Sequence, residues 1–154
     1  MLRVLISIAL LLATAALQPR QSIAFIVSAR GHAQARSSAE IRRIFFGQIS
    51  RWEDGHRITL IMRPTASAEG RLFLERLIRM SDIDYAHFWI GAVFRGEASA
   101  APRVIDSRDL AIKAVADNAD AIGFVLAGEA LPDSVAVLAV DGKLPADAEY
   151  PIAR

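Results

Sequence analysis

Four polar residues lie close together where an apolar run ends and a helical pattern begins: Arg63, Thr65, Ser67 and Arg71. They belong to the stretch IMRPTASAEGRLF, residues 61–73. The first amides of a helix lack partners within the helix and carry a partial positive charge, so such a junction can bind an anion. Ser67 would donate its hydroxyl and Arg63 a charge-assisted hydrogen bond, with Arg71 one helical turn further on. The pattern therefore predicts an oxyanion site.

Glu69, in the first turn of the same helix, weakens this prediction. At roughly 5 Å from a bound anion, its carboxylate would repel that anion by about 3 kcal/mol at an effective dielectric constant near 20. The side chain could instead turn outward or pair with Arg63 or Arg71. A purely structural interpretation is that Ser67 or Thr65 caps the helix, Glu69 interacts with the helix dipole and the arginines are solvated. Both interpretations stay open from the sequence.

The other polar residues form no recognisable catalytic or metal-binding motif. His32, His56 and His87 show no ligand spacing such as H-x-x-x-H, and we interpret them as surface or packing residues. There is no G-x-S-x-G nucleophile signature. There is also no cysteine, which excludes disulfides, zinc–thiolate sites and thiol catalysis. We therefore expect a protein that is not an enzyme and has no metal or cofactor.

Hydrophobic patterns place the candidate anion site between a strand and a helix. Short apolar runs predict strands at 22–28, 57–62, 121–127 and 134–140, with a further short strand at 104–106. Helical spacing and capping residues predict helices at 37–47, 67–80, 81–90 and 107–118. Because strands alternate with helices, the predicted fold class is α/β, one domain with a mixed sheet flanked by helices.

Apolar residues at helical spacing define the expected core. Ile41, Ile44 and Phe45 share one face of the first helix. Leu110, Ala114 and Val115 are expected to face inward from the last helix. The larger aromatic residues are also expected in the core: Trp52, Phe88, Trp89 and Phe94.

The first residues, MLRVLISIALLLATAALQ, have the layout of a secretory signal peptide. A basic residue precedes an apolar run, and small residues follow in an A-x-A arrangement. The apolar run is about 14 residues, short of the roughly 20 that span a bilayer. We expect a cleaved signal over residues 1–21, a mature domain over 22–154, a periplasmic location and no stable membrane span after cleavage. The alternatives are an uncleaved anchor and a buried first helix.

Composition excludes one class of partner. The 154-residue chain has 53% hydrophobic residues and a formal net charge of +1. This is enough apolar material for a core, and it provides no basic field for a nucleic acid.

Four segments, taken in order, resemble the phosphate-binding proteins of ABC phosphate transporters, which have the type 2 periplasmic-binding-protein fold. The segments are SSAEIRRIFFGQISRWEDG, FWIGAVFRGEASAAP, AIGFV and VAVLAVDGKLPADAEYPIAR. The resemblance extends over residues 23–154. It implies a solute-binding-protein-like domain whose partners are inorganic phosphate or a similar oxyanion, and an ABC permease or another protein chain.

The chain departs from that family in two ways. Members are much longer and close two lobes over the anion, whereas this chain resembles the second lobe only. The family's anion loop resembles R-x-D-G-S-G-T; Arg63 and Ser67 match it, but Thr65 replaces aspartate, Ala68 replaces glycine and Glu69 replaces threonine. The resemblance therefore implies weak phosphate binding.

The alternative is a ligand-free protein-interaction or sensory module that keeps the lobe fold. A polar notch near residues 63–67 would favour the anion, and an apolar patch would favour a protein partner.

Overall fold

The computed structural model describes residues 20–154. The predicted signal peptide therefore lies almost entirely outside the described residues. Among residues 20–154, no helix is both long enough and apolar enough to cross a membrane.

Residues 20–154 contain five strands, with five helical segments between them. The strands are β1 (Ile23–Ser28), β2 (Thr59–Met62), β3 (Arg103–Val104), β4 (Ala121–Leu126) and β5 (Val135–Val137). The α-helices are α1 (Ser38–Phe45), α2 (Ala68–Leu72), α3 (Asp82–Phe94) and α4 (Arg108–Ala116), and a π-helical segment, Phe73–Ile78, continues α2.

The strands form one mixed sheet in the order β3-β2-β4-β1-β5. β2 is parallel to both β3 and β4, while β1 is antiparallel to β4 and β5. The loop that follows β2 therefore leaves one edge of the sheet. The loops that precede β2 and β4 and the loop that follows β1 meet at the opposite edge. The predicted α/β fold with a mixed sheet flanked by helices is confirmed.

Each face of the sheet has its own core, because side chains of a strand alternate between faces. Phe25 and Phe124 face the larger core, which α1, α2, the π-helical segment and α3 cover. Ile26 and Val125 face a smaller core, which α4 covers. The buried runs in β1 and β4 thus reflect a sheet covered on both faces.

Local capping signals fix the helix starts. Ser37 accepts a hydrogen bond from the Glu40 amide and the Glu40 carboxylate accepts one from the Ser37 amide, as the capping-box spacing predicts. Ser81 likewise accepts from the Asp84 amide at the start of α3. These contacts depend on residues three apart, so the sequence alone was sufficient to predict them.

Several details differ from the predictions. α3 continues to Phe94 rather than ending near residue 90, and Phe94 is 91% exposed instead of lying in the core. Leu110 is exposed, because α4 buries Ala111, Ile112 and Val115 instead. β2 and β5 are shorter than predicted, and the strand at 104–106 is instead Arg103–Val104.

Candidate functional site

The predicted anion loop lies at the carboxyl end of β2, where the chain turns into α2. Ligand-facing helix starts occupy this position in many α/β sheets. Ser67 is the N-cap of α2, and its hydroxyl oxygen accepts a hydrogen bond from the Gly70 amide at 3.0 Å. The hydroxyl also donates to the Pro64 carbonyl at 2.7 Å. The Ser67 hydroxyl proton and the Gly70 amide are two donors that an anion could accept from, and both already donate to acceptors within this segment.

Arg63 is buried and holds Glu69. Its Nε lies 2.6 Å from Glu69 Oε1, and the two side chains are only 10% and 8% exposed. Its Nη1 donates to the carbonyls of Ile105, at 2.7 Å, and Asp106. One carboxylate and two carbonyls thus accept hydrogen bonds from the guanidinium. The Glu69 carboxylate lies where a bound anion would pair with Arg63.

The other predicted site residues lie on the rim of the same loop. Arg71 Nη1 donates to the carbonyl of Ala66, one helical turn earlier. Thr65 is half-buried and lines a groove beside α3. The structure thus places Arg63, Thr65 and Ser67 in the loop after β2 and Arg71 in the helix that follows it. The contact of each with phosphate stays a prediction.

Glu69 is the residue whose role the sequence left undecided. If the Glu69 carboxylate points into the site, it repels an anionic ligand. If it pairs with Arg63, it neutralises the arginine charge that would otherwise bind the ligand. The structure shows the second arrangement, with both groups buried. Arg63 and Glu69 are six residues apart across a loop–helix junction, where the backbone has no regular geometry. The sequence therefore could not decide whether the two side chains pair.

A largely apolar groove of about 940 Å³ adjoins the loop. One side is the outer face of α3, where Ile83, Ile90, Val93 and Phe94 are exposed. The other side includes Pro102, Val104 and the Pro64–Ala66 part of the loop. Four large apolar side chains on one helix face are more than the scattered exposure usual at a protein surface, and clustered patches mark interaction sites.

Solved structures of phosphate-transport binding proteins share this fold. An ABC-type phosphate transport receptor from Vibrio cholerae aligns with a TM-score of 0.67 at 18% identity, over 88% of this chain and 54% of that one. PstS from Borrelia burgdorferi aligns with a TM-score of 0.70 at 18% identity, over 88% and 55% of the two chains.

A Clostridium perfringens substrate-binding protein ascribed to phosphate ABC transport, solved with bound phosphate, aligns with a TM-score of 0.65 at 19% identity, over 88% and 53% of the two chains. The chain therefore spans about half the length of the structures it matches. No protein-family model matches the chain, and no curated protein sequence does. The resemblance read from the sequence is confirmed at the level of the fold: the chain has a solute-binding-protein-like fold that corresponds to part of these proteins.

Proposed function

We propose that this chain is an exported, solute-binding-protein-like lobe that holds its own Glu69 carboxylate in place of a bound oxyanion, and that it acts by contact with another protein rather than by catalysis. The buried Arg63–Glu69 pair carries this proposal. Export rests on the predicted signal peptide, and N-terminal sequencing of the protein recovered from the periplasm tests it. A chain that retains Met1 there would contradict cleavage.

The free energies argue against phosphate as a ligand of the unmodified loop. Phosphate could reach the Arg63 guanidinium only by displacing Glu69, and an unpaired buried charge costs about 3–5 kcal/mol. Millimolar affinity, a reasonable limit for one exposed half-site, corresponds to only about 4 kcal/mol. The cost and the gain are comparable, so we expect no measurable phosphate binding at this loop.

Phosphate binding is the second candidate function, because the loop keeps a matching Arg63 and Ser67 at a helix start and its structural neighbours include a protein solved with phosphate. On this view phosphate displaces Glu69 from Arg63 in the wild type. Replacing Glu69 removes the internal carboxylate and leaves Arg63 in need of an anion. The two candidates thus make different predictions for the wild type and the same prediction for a Glu69 variant.

The test is a phosphate titration of the wild type and of Glu69→Thr, followed by amide NMR shifts and melting temperature at constant ionic strength. We expect no saturable response from the wild type and at least tenfold tighter binding in the variant, about 1.4 kcal/mol. Adding Arg63→Ala should remove the gain. Glu69→Gln, which keeps the size of the side chain and an acceptor oxygen, provides a second variant if Glu69→Thr folds poorly.

The matched control is Glu75→Gln, an exposed acid on the neighbouring π-helical segment, which should leave the response unchanged. Saturable phosphate binding by the wild type, with shifts centred on residues 63–71, would contradict self-occupation and favour the second candidate. A Glu69 variant that folds but ignores phosphate would show that the loop is not a latent anion site.

The partner we propose for the groove is a protein domain with a complementary apolar surface. Two observations support this choice. The chain covers only about half of each structure it matches, and the groove continues directly into the loop that follows β2. Burial of the α3 face would supply the binding free energy, because large apolar side chains dominate such contacts.

A further inference from the structure

Two histidines and two aspartates from distant parts of the sequence converge at the edge of the sheet opposite the anion loop. His32 follows β1, Asp54 and His56 precede β2, and Asp120 immediately precedes β4. The ligand atoms of His32, Asp54 and Asp120 all lie within 4.8 Å of one another. His56 contacts both carboxylates. The antiparallel pairing of β1 with β4 and the parallel pairing of β2 with β4 bring these loops together.

Four of the six distances between ligand atoms in this cluster are given by its ion pairs, and three of them are close to those of a tetrahedral metal site. His32 Nε2 lies 3.3 Å from Asp120 Oδ1 and 3.6 Å from Asp54 Oδ2. His56 Nδ1 lies 3.2 Å and 3.9 Å from the same two oxygens. A tetrahedral zinc ion with bonds of about 2.0–2.2 Å separates its ligand atoms by about 3.3–3.6 Å. The ligand atoms of Asp54 and Asp120 also lie within 4.8 Å of each other. His56 stands outside the three-residue group, so its exposed side chain must rotate toward the other ligands to complete a tetrahedral site.

The surrounding residues hold the inner half of the cluster in place. The His32 ring stacks on the buried Trp52 ring, with centroids 4.4 Å apart and planes 16° apart. Trp52 Nε1 donates to the Asp120 carbonyl at 3.0 Å. A Cβ atom on Gly31 would lie only 2.1 Å from the Ala119 carbonyl oxygen, so the loop that carries His32 packs directly on the loop that carries Asp120.

Hydrogen bonds also orient the outer half. The His56 amide donates to Asp54 Oδ1 at 3.0 Å, which leaves Oδ2 directed toward the two rings. Outer-shell hydrogen bonds of this kind orient metal ligands in proteins. Asp54 and His56 are also the more exposed pair, with side-chain exposures of 48% and 66%, so an ion can enter from solvent.

The local charge favours a divalent cation. Two carboxylates balance the two charges of the ion, and the imidazoles bind in their neutral form. Arg36 lies over the Trp52 ring, 5.3 Å from its centroid, but both of its terminal nitrogens pair with Glu53. The Glu53 carboxylate therefore offsets the arginine charge. Arg36 therefore does not oppose a cation.

We propose that His32, Asp54, His56 and Asp120 form a binding site for a divalent transition metal of the zinc class. Imidazole with carboxylate suits zinc better than magnesium or calcium, which prefer all-oxygen ligands. Four protein ligands leave no open coordination position, which is the arrangement of a structural site. Bound metal would join the loops before β2 and β4 to the loop after β1.

The test is calorimetric titration of the purified, tag-free, chelator-treated chain with ZnCl₂, with Co²⁺ absorption as a report on geometry. We expect one zinc ion per chain and the visible bands of tetrahedral Co²⁺. At zinc concentrations near 100 times the dissociation constant, the melting temperature should rise by about 8 °C. MgCl₂ should produce no such rise.

Matched variants decide whether the four side chains are the ligands. His32→Ala and, separately, His56→Ala should each weaken zinc binding at least tenfold and abolish the tetrahedral Co²⁺ bands. Because His56 is exposed, its variant should fold normally. His87→Ala, at an exposed histidine on α3, is the control and should bind zinc like the wild type.

Three results would overturn the proposal. The first is a folded wild type that binds no zinc, which would make the cluster a hydrogen-bonded network only. The second is zinc binding that survives both histidine variants. The third is an equal rise in melting temperature with MgCl₂.

Discussion

At the scale of single residues, the Arg63–Glu69 pair decides both the stability and the ligand chemistry of the loop. The two charges neutralise each other. The carbonyls of Ile105 and Asp106 accept hydrogen bonds from Arg63 Nη1, whereas Glu69 accepts one from Nε. Replacing only one residue of such a buried pair lowers the free energy of unfolding strongly, because the remaining buried charge has no partner. The pair therefore constrains which substitutions the loop tolerates.

Arg63→Met should destabilise the chain by about 3–5 kcal/mol, because Glu69 stays buried without its partner. The double variant Arg63→Met/Glu69→Leu should recover most of that loss, since apolar replacements of similar volume often match a buried ion pair. Urea unfolding of the wild type, both single variants and the double variant measures the coupling. Arg95→Met, which breaks the exposed Arg95–Glu97 pair, is the control and should leave the urea midpoint unchanged. Simple additivity of the two single changes would contradict this account.

At the scale of elements, α2 approaches the preceding loop so closely that its position depends on one glycine. A Cβ atom on Gly70 would lie 2.0 Å from the Pro64 carbonyl oxygen and 2.8 Å from the Thr65 Cα. These are backbone atoms, which cannot rotate away. Gly91 in α3 differs, because a Cβ there would meet only the end of the Arg95 side chain.

Alanine should therefore have opposite effects at the two helical glycines. Gly70→Ala should destabilise the chain by about 1–3 kcal/mol, because α2 must move away from the loop. Gly91→Ala should stabilise it by about 0.5–1 kcal/mol, because alanine costs less backbone entropy in a helix. Chemical denaturation of the two variants beside the wild type measures both changes. The same sign for both would show that close packing does not position α2.

Sequence reasoning succeeded where the determining contacts are local. The capping residues Ser37 and Ser81 identified two helix starts, because cap and partner lie three residues apart. It failed for Leu110, since helical spacing alone does not fix which side of a short helix meets the sheet. It also missed the cluster of His32 with Asp120, because no short motif joins residues that only the strand pairing brings together.

At the scale of the whole molecule, the two sides of the sheet differ in how they meet solvent. On the α4 side, the exposed surface includes the charged residues Lys113 and Asp117, which form an ion pair with each other. The α3 side presents Ile90 and Phe94, which are 66% and 91% exposed. A protein partner should therefore bind the α3 side.

Photo-crosslinking in the native cell envelope tests this expectation. A photoreactive residue at position 94 should give one discrete adduct, and the same residue at position 113 should give none. The crosslinked partner, once purified, should bind the wild type directly and bind Ile90→Ser/Phe94→Ser at least tenfold more weakly. Equal binding by that variant, or an adduct between two copies of this chain only, would contradict a separate partner domain.

The place of β1 in the sheet has a consequence for the timing of folding. β1 is the first of the described strands in the chain, yet it lies between β4 and β5. Val27 pairs with Ile122 on one side and with Ala136 on the other. Ser22 also bridges Ala153 near the end of the chain. The centre of the sheet therefore cannot assemble until β4 and β5 have left the ribosome, and such sequence-distant pairing is slow. A nascent chain with this order of strands therefore keeps β1 without its strand partners until β4 and β5 have been synthesised.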